Sequence, residues 1–196
     1  MNIIGNSCIA SYITRDCLQQ QFENPFTWCI MDYTSCYNLV KYYSKINYLN
    51  FKLCSNGLTN FSIIVDGLVT IQYVHYHFDA KCNTPTIINN DVYYNKIWEY
   101  IISKYVSRVN RMLSYQHDPI FIFATANYGL ARHIPFTYDQ QTELDNLNSP
   151  YPIVISFGNM VTNSRLHVIP QTTAYIDNGL NISKYIFSEL RKRSLL

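Results

Sequence analysis

The sequence predicts an α/β protein in three layers, a mainly parallel sheet flanked by helices, with an antiparallel hairpin as an extension. Three observations lead there. Short apolar runs stand near residues 3, 121 and 154, and the last two are continuous enough for strands buried on both faces. Each run is preceded or followed by apolar residues at helical spacing. One alternating pair of segments around Asp66-Gly67 supplies the hairpin. Strands alternating with helices favour parallel pairing, because a parallel connection needs a crossover long enough to hold a helix. The 196 residues are expected to form one domain, 1–196, with a core that needs no disulfide staples.

Taken in order, Asn2-Ile3-Ile4 opens as a strand, Gly5 permits a sharp turn, and Asn6 or Ser7 can cap the first helix. From Cys8 onward Ile9, Tyr12, Ile13, Cys17 and Leu18 recur at helical spacing. Glu23-Asn24-Pro25 breaks that pattern, and Phe26 to Ile30 reads as a short extended or turn segment whose aromatics plug the core. Asp32 is the expected N-cap of a helix from Tyr33 to about Tyr43, with Cys36, Leu39, Val40 and Tyr43 as its buried stripe. After a turn at Ser55-Asn56-Gly57 comes the hairpin, Phe61–Val65 and Leu68–His77. A polar loop over Lys81–Asn90 leads into a long helix over Asp91–Ser114, with Tyr94, Ile97, Trp98, Ile101, Ile102, Tyr105, Val109 and Met112 as its candidate inward positions. Ile120–Ala124 is a buried strand, Thr125–Pro135 a loop and Tyr138–Leu147 a helix. Ile153–Phe157 is a second buried strand and His167–Ile169 a shorter one. A last amphipathic helix, about Leu180–Arg191, ends in the cations that a helix C-terminus favours.

Composition narrows the function. A formal charge of +2, with no basic stripe beyond Arg191-Lys192-Arg193, argues against a nucleic-acid partner. No apolar run approaches the ~20 residues that span a bilayer. Six cysteines all fall within the first 82 positions, and no CxxC pair suggests structural zinc. Met1 runs directly into a strand, not into a basic-then-apolar leader, so reduced thiols and a cytoplasmic location are expected. Nothing calls for a cofactor, and oligomeric state leaves no mark on the sequence.

In open parallel sheets ligands bind beyond the carboxyl ends of the strands. That rule gathers Asn6-Ser7-Cys8, Thr125-Ala126-Asn127 and Phe157-Gly158-Asn159 at one edge. Cys8 falls on the first turn of a helix, where free N–H groups and the dipole stabilise a thiolate. The same residue type also serves widely as a small buried hydrophobe. In His75-Tyr76-His77-Phe78-Asp79 the two imidazoles share a strand face. They suit a general base oriented by a carboxylate, half of a metal site, or a plain strand rim. His77 is the better base because Asp79 comes two residues later on the same face. Arg108 and Arg111, three apart on one side of the long helix, can grip a carboxylate, phosphate or sugar acid, or can be a solvated face.

Several pieces, in order, resemble an uncharacterised and mostly bacterial family labelled papain-like cysteine peptidases. They are Gly5-Asn6-Ser7-Cys8, Pro25-Phe26-Thr27-Trp28, His75 to Asp79, and Arg108 to Arg111 ahead of Ile120–Ala124. The likeness covers roughly the first two thirds of the chain. It departs at Thr27, where the family has aspartate. The resemblance implies a thiol site, and a glycan context because members often stand near surface-polysaccharide genes.

The leading expectation is therefore a cysteine-dependent hydrolase or transferase acting on a small molecule or glycan. Cys8 attacks, His77 takes the proton, Asp79 orients the imidazole, and the first helix stabilises the oxyanion. Asn6, Ser7, Arg108, Arg111 and Asn127 are the expected substrate contacts. One alternative is a non-catalytic sugar or nucleotide-sugar binder using Arg108, Arg111 and Asn127. Another is a metal-dependent hydrolase using His75 and His77, with a third ligand from Asp79, His117, His133 or elsewhere. A third places the nucleophile at Ser7, since Gly5-Asn6-Ser7 resembles the Gly-Asp-Ser turn of SGNH esterases. The Asp-x-x-His pair of those enzymes is missing, because Ser164 stands three residues before His167.

Overall fold

A computed structural model describes residues 2–6, 8–20, 23–27, 29–55, 61–73, 91–114, 117–124, 136–156, 166–169 and 179–196. In chain order the elements are β1 (Asn2–Gly5), α1 (Cys8–Tyr12), a π-helical segment (Ile13–Cys17), β2 (Cys29–Ile30) and α2 (Tyr33–Tyr42). Next come β3 (Phe51–Ser55), β4 (Phe61–Val65), β5 (Val69–Tyr73), α3 (Asp91–Ser114) and β6 (Pro119–Ala124). The chain continues through α4 (Tyr138–Asp145), β7 (Ile153–Ser156), β8 (His167–Ile169) and α5 (Gly179–Lys192).

The fold is α/β, as the alternation of strands and helices predicts. Four strands run parallel in the order β1-β6-β7-β8, with Ile3 opposite Ile120, Phe123 opposite Ile155 and Ser156 opposite Ile169. Their side chains alternate between two apolar clusters, as the two-residue period of a strand requires. Ile4, Phe121, Phe123, Ile153, Ile155 and Val168 enter one cluster, with residues of α2, α3, β4 and β5. Ile3, Ile120, Ile122, Val154 and Ile169 enter the other, with α1 and α5. Both faces of the sheet are thus covered, which explains why these strands read as unbroken apolar runs.

The hairpin is placed differently from expectation. β4 and β5 pair as read, and Asp66 and Gly67 both take positive φ (52° and 68°). That is the conformation an Asp-Gly hairpin turn exists to supply. The pair does not extend the parallel sheet, however. It forms the centre of a separate antiparallel sheet, β2-β5-β4-β3. The physical reason is that both outer edges of the hairpin are occupied, β5 by β2 and β4 by β3. The pairing of β3 is legible afterwards in the alternation of Phe51 and Leu53 with Lys52 and Cys54.

The helices obey their sequence signals closely. The Asp32 carboxylate accepts the Ser35 N–H at 2.8 Å, capping α2. Cys36, Leu39 and Val40 are buried, while Tyr43 is half-buried just past the helix end. In α3 the inward stripe is Ile101, Tyr105, Val109 and Met112, joined by Arg108.

Candidate functional site

The junction of β1 and α1 is held by close packing. A Cβ on Gly5 would lie 2.5 Å from Ala10 Cβ and 2.9 Å from the Ile122 carbonyl oxygen. Glycine is required here because helix and neighbouring strand approach its backbone, not because of a left-handed turn. Ile9, Ala10 and Ile13 bury against Ile3, Ile122 and α5, which fixes the helix over the sheet. After Tyr12 the helix widens, with Leu18 N–H donating to Ile13 O at 2.9 Å and Thr14 Oγ1 donating to Ala10 O at 2.8 Å. Such π-turns occur often near functional sites. Cys8 is the first residue of α1, directly beyond the carboxyl end of β1. Its side chain lies outside the described residues.

β1 is the outermost strand of its sheet, so its far edge needs partners. They come from the segment that carries Pro25-Phe26-Thr27. Asn24 Nδ2 donates to Ile3 O at 2.6 Å and to Asn2 Oδ1 at 3.1 Å. Asn24 Oδ1 accepts from Phe26 N at 2.9 Å and Thr27 Oγ1 at 3.3 Å. Further along, Cys29 Sγ lies 3.0 Å from Phe26 O and 3.7 Å from Gly5 O. Met31 N–H then donates to Asn6 O at 3.4 Å. Asn6 is accordingly buried, at 2 % exposure, and is built into the strand end. Asn24 carries most of this, although sequence reasoning sees it only as part of a helix break. Its position immediately before a proline, as a residue that bonds its own backbone two residues on, is the signal that marks it.

Arg108 secures the same segment from α3. It is 4 % exposed, donates to Thr27 O at 3.4 Å and pairs with the half-buried Glu23 carboxylate. Arg111, one turn on, is exposed. Arg108 and Arg111 border the same cleft. A cleft of about 300 Å³ is lined by Glu23, Tyr100, Lys104, Ser107, Arg108 and Arg111. The end of β1, the Pro25–Thr27 segment and Arg108 are therefore linked by hydrogen bonds through Asn24, Cys29 and Thr27.

Ser7, Trp28, His75, His77, Asp79, Asn127 and His133 lie outside the described residues, as do Thr125–Pro135 and Phe157–Asn159. β1, β6 and β7 lie side by side and parallel, so the strands leading to Asn6-Ser7-Cys8, Thr125 and Phe157 do end at one edge. His117 is exposed, and His167 sits half-buried on β8, where burial and then the nearby Arg193 lower its pKa. Burial raises the thiol pKa of Cys17, and that of Cys36 strongly. Both shifts disfavour the thiolate. Among the described residues no group of three His, Cys, Asp or Glu side chains could hold a metal ion, and no helix is long and apolar enough to cross a membrane. No known protein family matches the chain, and no curated protein matches it.

Proposed function

We propose that the protein is a cysteine-dependent hydrolase or acyl- or glycosyl-type transferase whose nucleophile is Cys8. One observation carries the reading: Cys8 begins a helix immediately beyond β1, at the carboxyl edge of the parallel sheet. A helix begins with N–H groups that lack intrahelical partners. Those groups favour the thiolate and, later, the oxyanion of a tetrahedral intermediate. For a carbonyl substrate, His77 takes the thiol proton and Sγ bonds to the carbonyl carbon. The leaving group departs with that proton, and water or an acceptor hydroxyl then cleaves the thioester. Asp79 orients the His77 imidazole. The rigid mounting of Gly5 and Asn6 by Ala10, Ile122 and Met31 supports this reading, since a nucleophile acts best from a fixed position. A small molecule or glycan is the proposed substrate class, and the cytoplasm the proposed location.

The experiment is turnover of an activated ester such as p-nitrophenyl acetate. The expected result is a burst of one equivalent of p-nitrophenol per chain, with an acetyl group on Cys8 by peptide mass spectrometry. Cys8→Ala loses both. Release at the buffer rate, equal in wild type and Cys8→Ala, overturns the proposal.

A further inference from the structure

The segment 24–31 holds the outer edge of β1 at three carbonyls. Ile3 and Gly5, two residues apart, turn theirs to that edge, as alternate residues of a strand do. Asn24 Nδ2 meets the first at 2.6 Å, and Cys29 Sγ stands 3.7 Å from the second. Met31 N–H donates to the third, Asn6 O, at 3.4 Å. These contacts fall five, three and two positions ahead of Cys8. Asn24 sets the register of the whole segment. Its buried amide is used to full capacity, with Nδ2 donating to Ile3 O and Asn2 Oδ1 and Oδ1 accepting from Phe26 N–H and Thr27 Oγ1. Thr27 N–H closes the turn onto Asn24 O at 3.1 Å, and Cys29 and Met31 follow opposite Gly5 and Asn6. α1 has five residues, and so short a helix does not fix its own start.

We infer that Asn24 is a positioning residue for the nucleophile. The inference rests on Cys8 being that nucleophile, and Asn24 acts on it through the exit of β1, without touching substrate. Holding the chain two residues ahead of Cys8 sets where that residue stands against the strand ends. A displacement of about 1 Å at a reacting group can cost 10²-fold in rate. The amide is specific to the task, because Asp at position 24 would turn an oxygen toward Ile3 O and Asn2 Oδ1, both acceptors.

The test follows the p-nitrophenyl acetate burst of the whole chain in wild type, Asn24→Ala, Asn24→Asp and Cys29→Ala, well below their melting temperatures. Burst amplitude counts the folded, competent chains, and the burst rate constant reports how each of them reacts. The expected result is a rate constant lowered about tenfold or more in both Asn24 variants, with amplitude near one equivalent per chain. Cys29→Ala, which removes only the sulfur beside Gly5 O, slows the burst by a smaller factor and decides the matter if the Asn24 variants do not fold. Val65→Ala, a cavity in the antiparallel sheet, lowers stability and keeps the wild-type rate constant. Variants that lose amplitude alone, each folded chain reacting at the wild-type rate, overturn the inference and leave Cys8 as the nucleophile. A wild type with no Cys8-dependent burst overturns the thiol reading, and the inference with it.

Discussion

Asn24 closes the open edge of the parallel sheet at Ile3: its side-chain amide reaches the Ile3 carbonyl at 2.6 Å, across 21 positions of sequence. A single side chain here does the work of a neighbouring strand, and its own carbonyl folds the Pro25–Thr27 turn. Asn24→Ala leaves the buried Ile3 carbonyl and Phe26 N–H without these partners. The expected loss is about 1–3 kcal/mol, which for a chain of this size lowers the melting temperature by a few degrees. Asn24→Asp loses the donor and should destabilise too. Thermal and urea melts check both.

Gly5→Ala tests the strand–helix junction. The added methyl meets Ala10 Cβ and the Ile122 carbonyl at 2.5 and 2.9 Å, and neither can swing aside as a flexible side chain would. A loss of about 1–3 kcal/mol is expected. The Gly5→Ala/Ala10→Gly double variant should recover part of it, because one of the two clashes is then removed. Urea denaturation of the three variants and the wild type measures this.

Arg108 and Glu23 should be coupled. Removing either partner weakens the hold on the Thr27 segment, but Glu23 is 40 % exposed and water recovers part of its solvation. A double-mutant cycle with Arg108→Met and Glu23→Gln is expected to give a coupling of about 0.5–3 kcal/mol. A value near zero would mean that the pair adds nothing to stability.

His167 should make stability depend on pH. Burial, then Arg193, lowers its folded-state pKa below the unfolded value, so the unfolded chain binds the proton more readily. The contribution is complete above the unfolded pKa of about 6.5 and is lost as pH falls through the folded pKa. Between these values His167→Gln should show a flatter stability profile than wild type in parallel denaturant titrations.

Much of this architecture is legible in the sequence because local signals and burial agree. Phe121 and Phe123 alternate with Ile120 and Ile122, both faces are buried, and the run reads as a strand from either side. Asp66-Gly67 and Asp32 declare a turn and a cap by their chemistry alone. The features that escape such reading are long-range. Nothing near Phe61 states that β4 will pair with β3 as well as β5, and so build a second sheet. Nor does Asn24 announce that its partner lies at Ile3. Arg108 is readable as a cation on the same helix side as Arg111. Its burial against Thr27 depends on a segment 81 positions away.

The account turns most on Cys8. The direct measurement is the rate at which a thiol-directed electrophile such as iodoacetamide labels Cys8, read by peptide mass spectrometry from pH 5 to 10, in wild type and in His77→Gln. The account predicts a midpoint below the ~8.5 of an ordinary cysteine, moving upward in the variant. A Cys8 midpoint at or above that value, unchanged by His77→Gln, contradicts it.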